Sequence, residues 1–177
     1  MKKILITGGG GFIGYHLATK LSRNNFVYLL DNFQRGKKDK DLVQLLKKKN
    51  VKLFRKNFLS KFKLNLKKID VVYHLAAILG VKNVTNFPET TFKTNFISMI
   101  NLLDELKRIK FKGKFVFFST SEVYSPLIFN KKAKQPISDQ ENILLGNKTS
   151  KRDSYYLSKI TCEKYLELTK INFKIVR

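Results

Sequence analysis

The chain alternates between short apolar runs and longer segments whose apolar residues recur every three or four positions. Residues 3–6, 26–30, 51–55, 69–74, 114–118 and 173–176 are short and apolar, and read as strands. Helices are predicted at about 12–23, 40–49 and 153–170. A longer one follows Pro88, with Phe92, Phe96, Met99, Ile100, Leu103 and Leu106 at helical spacing. Strands alternating with helices predict an α/β fold, a doubly wound parallel sheet of about six strands with right-handed crossovers. The unbroken run Phe115-Val116-Phe117-Phe118 predicts a strand buried on both faces. Residues 125–152 read as one long irregular segment, of the kind that often carries function. The chain shows no internal repeat and no low-complexity linker, so residues 1–177 form a single expected domain.

The first strand runs directly into Thr7-Gly8-Gly9-Gly10-Gly11-Phe12-Ile13-Gly14. Glycines at 8, 11 and 14, between a strand and an amphipathic segment, form a dinucleotide-binding pattern in its proper context. Gly8 suits a tight turn, and Gly11 lets backbone approach a pyrophosphate. Gly14 lets the helix start close to the sheet, its N-terminus aimed at the phosphates. Asp31 ends the second strand, 23 residues after Gly8. A carboxylate there accepts the hydroxyls of an adenosine ribose and repels a 2′-phosphate, which predicts NAD rather than NADP. Arg35, Lys37 and Lys38 follow it and act against that preference.

Composition narrows the class. At 43% hydrophobic over 177 residues, the chain can bury a real core. No apolar run has the length of a membrane span, and the N-terminus lacks a signal-peptide pattern, so no membrane partner is expected. One cysteine, Cys162, excludes an internal disulfide and fits a reducing cytoplasm. Two separated histidines and that cysteine predict no metal site. The net charge of +23 suggests a nucleic-acid partner. However, 30 of the 36 basic residues are lysine, dispersed over helix faces and loops such as 47–49, 67–68 and 131–132. AT-rich coding alone produces that bias, so no nucleic-acid partner is expected.

Candidate chemistry follows the fifth strand. Ser119-Thr120-Ser121-Glu122-Val123-Tyr124 lies at its carboxyl end, the edge where open parallel sheets bind ligands. Tyr155-Tyr156-Leu157-Ser158-Lys159 places the Tyr155 hydroxyl and the Lys159 ammonium one helical turn apart. A neighbouring cation, together with the charge of a bound nicotinamide, is expected to lower the phenol pKa towards a useful base. His74 is expected to end a buried strand with its ring hydrogen-bonded. His16 falls on the first helix, and Cys162 is expected in the core or an interface.

With these motifs in order from Met1 to Arg177, the sequence resembles the extended short-chain dehydrogenase/reductases of the NAD-dependent nucleotide-sugar epimerase/dehydratase type. The resemblance rests on residues 7–14, Asp31-Asn32, His74-Leu75-Ala76-Ala77, and Pro88 with Asn95 and Asn101-Leu102-Leu103. It continues through residues 119–124, Tyr155 to Lys159 and Lys174 to Arg177. It implies a Rossmann domain that binds NAD through Gly8, Gly11, Phe12, Ile13, Gly14, Asp31, Asn32, Asn57, Phe58, Leu75, Ala76, Ala77, Asn95, Tyr155 and Lys159. It also implies a nucleotide-sugar substrate met by Thr120, Ser121 and Tyr155. Thr120 would bind the sugar 4-hydroxyl, Tyr155 would remove its proton, and Lys159 would hold the nicotinamide ribose. The resulting 4-keto sugar can be epimerised, dehydrated or, for a uronic acid, decarboxylated. Thr120-Ser121-Glu122 and the run Asn142 to Gly146 resemble the decarboxylase and 4,6-dehydratase branch, with Glu122 as a further catalytic candidate.

Departures from the family pattern are Asn57 in place of an adenine-contacting Asp, Ser98 and Ser125 in place of glycines, and the end of the chain. Family members continue past Arg177 into a substrate domain. Its absence implies weak NAD binding without sugar turnover, and leaves a non-catalytic NAD-binding module as the alternative. The family also implies a homodimer through helices near 92–108 and 153–170. Ile160, Leu166, Leu168, Phe96, Met99, Leu103 and Leu106 are the expected contact stripes.

Overall fold

The computed structural model describes residues 1–66, 68–129 and 136–177. Lys67, Lys131 and Lys132, three of the dispersed lysines, lie outside the described residues. Six strands, β1 (Lys3–Thr7), β2 (Phe26–Asp31), β3 (Val51–Arg55), β4 (Val71–His74), β5 (Lys114–Phe118) and β6 (Phe173–Val176), form one sheet. All neighbours are parallel, in the order β3-β2-β1-β4-β5-β6. This is the expected Rossmann-type α/β fold. Strand order reverses between β1 and β4, which opens a crevice at their carboxyl ends.

The helices are α1 (Phe12–Leu21), α2 (Lys40–Leu46), α3 (Val81–Asn86), α4 (Pro88–Arg108), α5 (Ser125–Phe129) and α6 (Ser154–Glu167). On one face of the sheet, Ile4, Ile6, Val27, Leu29 and Val51 form a core with Ala18 of α1 and Leu42 and Leu45 of α2. On the other, Leu5, Leu30, Val72, Phe115 and Phe117 meet Met99, Leu102, Leu103 and Leu106 of α4 and Cys162 and Leu166 of α6. Each such fully buried side chain contributes about 1.5–3 kcal/mol. Asp39 caps α2 by accepting from Leu42 N at 2.9 Å. Pro88 opens α4, with Glu89 in its first turn and Lys107 and Arg108 in its last, as the helix dipole favours. Among the described residues, no helix is long and apolar enough to cross a membrane.

Three expectations change. First, β5 is not buried on both faces: Phe115 and Phe117 are, whereas Val116 and Phe118 are only half-buried. The α1–α2 layer covers the β1–β3 end of that face, and the next strand shows Lys174 and Val176 exposed there. Second, residues 125–129 are helical (α5), and α3 was not foreseen, since Val84 is its one buried residue and no apolar period marks it. Third, the stripes assigned to a second copy are mostly spent inside one chain. Met99, Leu103, Leu106 and Leu166 are fully buried because α4 and α6 turn them towards the sheet. Ile160 packs against Val123, Tyr124 and Tyr156, and Leu168 lies beyond the end of α6. Phe92, Phe96, Ile100, Leu157 and Tyr165 are half-buried, and Phe96 and Tyr165, edge-on to each other at 5.9 Å, pack against the same core.

As the sequence suggested, His74 ends β4 buried and bonded. Its Nδ1 lies 2.7 Å from Thr7 Oγ1, which also accepts from Ala76 N at 3.2 Å. The Phe115 and Phe117 rings flank it. Burial, and secondarily the Lys159 ammonium, lower its pKa from 6.5 to about 3. A folded-state pKa below the unfolded value means the unfolded chain binds the proton first. The contribution of His74 is therefore complete above pH 6.5 and lost as pH falls towards 3. Between pH 6.5 and 5, stability should drop with a slope approaching about 1.4 kcal/mol per pH unit. Urea midpoints across that range should show the slope, and His74→Gln should flatten it.

Candidate functional site

Backbone geometry at the end of β1 builds one side of the site. Gly8 has φ +68°, and its N–H and that of Gly9 both donate to Leu30 O, at 2.8 and 3.3 Å. Gly11 N closes the turn on Gly8 O at 3.1 Å. A side chain on Gly14 would put its Cβ 2.2 Å from Gly8 O, so the start of α1 sits against the glycine turn itself. No side chain caps α1, so its first-turn N–H groups are available to an anion.

A cavity of about 740 Å³ opens here. Gly8, Gly11, Phe12, Ile13 and Gly14 line its glycine-loop side, and Leu75, Ala76 and Ala77 the β4 side. Asp31, Asn32, Asn57 and Phe58 line the remainder, so twelve of the fifteen residues expected to hold NAD converge on one space. Both Asp31 oxygens already accept backbone bonds, Oδ2 from Gly10 N at 2.9 Å and Oδ1 from Phe33 N at 2.8 Å. Each can still accept from a hydroxyl. Asn57 turns its Oδ1 to Leu59 N at 3.0 Å, so that oxygen is shared with its own turn.

The cavity lining does not include Asn95, Tyr155 or Lys159. Asn95 is buried and grips Ile78 through both ends of its amide, at 2.7 and 3.0 Å. Its Nδ2 also reaches Ser158 Oγ at 3.1 Å. It thereby ties the cavity wall to α6, one turn from Tyr155. Sequence reasoning missed Gly36, whose Cβ would lie 2.7 Å from Gly10 O, while Arg35, already noted after Asp31, joins the lining beside it. The signal for Gly36 was the turn-like Arg35-Gly36-Lys37 after the acidic strand end.

The catalytic candidates gather at the end of β5. Thr120 caps the turn Ser121–Tyr124, its Oγ1 accepting from Glu122 N at 3.2 Å, and its side chain lies beside Tyr155. Ser121 and Glu122 are exposed. Lys159 is buried, donates to Phe118 O at 2.8 Å, and lies 4.8 Å from the Phe117 ring centroid. Burial lowers its pKa to about 8, against the opposing pull of Cys162 and Glu163.

The expected fall in the Tyr155 pKa is not found. Burial, then the Glu122 carboxylate, raise it, outweighing Thr120 and Arg35. The Lys159 ammonium donates to the Phe118 carbonyl and stands 5.8 Å from the Tyr155 ring centroid.

Behind these residues, fully buried Glu163 accepts from Ser119 Oγ and from Arg177 Nη2 at 2.6 Å and Nε at 3.2 Å. Arg177 Nη1 also donates to Tyr124 Oη at 2.5 Å and Asp139 O at 3.0 Å. The buried ion pair thus pins α6, the Ser121–Tyr124 turn and the end of β5 to one another. Among the described residues, no three His, Cys, Asp or Glu side chains converge as metal ligands.

Known proteins agree with this geometry. Residues 4–177 match the model of the NAD dependent epimerase/dehydratase family. A UDP-N-acetyl-alpha-D-glucosaminuronate decarboxylase of Bacillus cytotoxicus is 37% identical over 161 residues, covering 89% of this chain and 47% of its own. A dTDP-D-glucose 4,6-dehydratase of Dictyostelium discoideum is 39% identical over 131 residues, covering 70% and 30%. The solved UDP-N-acetylglucosamine 4-epimerase of Methanobrevibacter ruminantium M1 superposes with a TM-score of 0.78 at 27% identity, covering 99% of this chain and 54% of its own. The chain therefore spans about half the length of such relatives, or less. Fold order, glycine turn and family match agree, and the chain belongs to the NAD dependent epimerase/dehydratase family.

Proposed function

We propose that this chain serves an NAD-dependent nucleotide-sugar-modifying enzyme that works through oxidation at sugar C4. The observation that carries the reading is the gathering of Thr120 and Tyr155 at the end of β5 beside buried Lys159, on a helix that Asn95 ties to a glycine-lined cavity. The uncapped α1 start and the glycine cradle suit the pyrophosphate of NAD, and Asp31 suits its adenosine ribose. Bound NAD supplies the electron acceptor for the hydrogen leaving C4.

Thr120 orients the sugar 4-hydroxyl, and Tyr155 accepts its proton. Lys159 holds the nicotinamide ribose and stabilises the phenolate. Because the empty-handed Tyr155 is a weak acid here, proton removal depends on positive charge arriving with the cofactor. Ser121 meets the substrate beside Thr120. Exposed Glu122, close enough to act on Tyr155, suits the later elimination or decarboxylation. The 37% and 39% identities to a decarboxylase and a dehydratase support that branch over simple epimerisation. The half-buried Phe92, Phe96, Ile100, Leu157 and Tyr165 stripe supports an isologous homodimer.

Calorimetry with this chain should find NAD bound at least tenfold more tightly than NADP, and Asp31→Ala should narrow the gap. Equal affinities before mutation would refute the cofactor assignment. Fused to the remaining half of the Bacillus decarboxylase, residues 1–177 should form reduced nicotinamide from a UDP-uronic acid. Tyr155→Phe should lower that rate by at least a hundredfold, and Glu122→Gln should spare it while slowing carbon dioxide release. Light scattering should detect dimers that Phe96→Glu disperses, and a monomer at millimolar concentration would remove the dimer.

A further inference from the structure

Helix α4 carries a polar stripe that neither sheet packing nor the proposed proton chemistry uses. Thr94, Ser98, Asn101, Glu105 and Arg108 follow one another at three- and four-residue steps and share one helix face. Thr94 and Ser98 border the cavity. Beyond them, the stripe grips the connection between β3 and β4. Asn101 Nδ2 donates to Phe58 O at 2.7 Å. Glu105 Oε1 accepts the Leu64 N–H, and Arg108 Nη2 donates to Leu64 O at 3.3 Å. Arg108 also closes on Glu105, with Nε 2.6 Å from Oε2 and Nη2 2.7 Å from Oε1. Both backbone polar groups of buried Leu64 are thus satisfied by α4 side chains, as a neighbouring strand would satisfy them.

Glu105 is only 5% exposed. A carboxylate in such a place is costly unless paired and fully hydrogen-bonded, and an apolar residue would serve packing alone better. Burial raises its pKa, but Arg108 and the Leu64 N–H outweigh burial and hold it below the usual range. The gripped connection supplies Asn57, Phe58 and Leu59 to the cavity, on the side of Asp31, whose strand neighbour is Arg55. Residues 56–66 contain no helix or strand, and such a segment opens locally at little cost unless something holds it.

We propose that Glu105 and Arg108, with Asn101, are positioning residues that hold the Asn57–Leu59 wall in place for the adenine half of a dinucleotide. This rests on the dinucleotide reading of the cavity. The test compares the unmodified chain with Glu105→Gln, Arg108→Gln and the exposed control Asp104→Asn. Calorimetry with NAD and with ADP-ribose measures binding, and hydrogen exchange measures opening of residues 57–66. Each latch variant should lose about tenfold in affinity for both ligands and exchange faster at 57–66, while β1 and β5 amides stay protected. The control should match the unmodified chain.

A latch variant that exchanges faster yet binds both ligands unchanged overturns the proposal alone, as does unchanged exchange. Failure of the unmodified chain to bind NAD or ADP-ribose overturns the dinucleotide reading and the proposal with it. Exchange that quickens equally throughout β1 and β5 marks a general stability role and overturns the positioning role.

Discussion

The approach of α1 to the end of β1 governs much of the rest. Gly14 stands where any Cβ would lie 2.2 Å from the Gly8 carbonyl, and Gly8 itself needs φ +68° with Ala76 close behind it. Only with glycine at both places can the helix begin against the strand end with its first N–H groups uncapped. The same turn sends both the Gly8 and Gly9 amides to Leu30 O, which fixes β2 and hence the position of Asp31. The uncapped start of α1 and the Asp31 carboxylate in the cavity lining therefore come from one backbone constraint.

A second constraint is electrostatic. The charges that lie deepest are each answered by specific partners: Lys159 by the Phe118 carbonyl, Glu163 by Ser119 and Arg177, Glu105 by Leu64 and Arg108. Leaving any one unpaired would cost several kcal/mol, so each works as a geometric lock. These locks join elements far apart in sequence. Glu163 and Arg177 fix α6 against the turn that carries Thr120, and Asn95 fixes α6 against the cavity wall. The catalytic candidates are held from behind, with Tyr155 half-buried and Glu122 exposed. In this arrangement burial, then Glu122, make the Tyr155 phenol a weaker acid than usual.

The sheet is layered unequally. Helices α4 and α6 cover one face from Leu5 to Phe117, whereas α1 and α2 cover only the β1–β3 end of the other. Val116 and Phe118 are half-buried, and Val176 is exposed, at the strands nearest the catalytic turn. Large apolar side chains such as Phe12 and Ile13 also stand exposed in the cavity lining.

The sequence by itself determined the alternation of strands and helices, the glycine turn, Asp31 as the second strand's last residue, and the Tyr155–Lys159 spacing. All of these are local: period, turn chemistry and helical offset are written within a dozen residues. It also placed twelve cofactor candidates that the fold gathers into one cavity. What only the tertiary structure decided depends on neighbours distant in the chain. The Tyr155 pKa rises because burial and the Glu122 carboxylate outweigh Thr120 and Arg35, all brought to it by folding. Asn95 became a clamp because Ile78 and Ser158 reach it from separate elements. Most apolar residues of α4 and α6 went to the sheet, with Phe92, Phe96 and Tyr165 only half-buried, because spacing gives a stripe without saying which partner it meets. The Glu105–Arg108 latch was invisible for the same reason, since a Glu and an Arg three residues apart read as a solvated pair until Leu64 is brought between them.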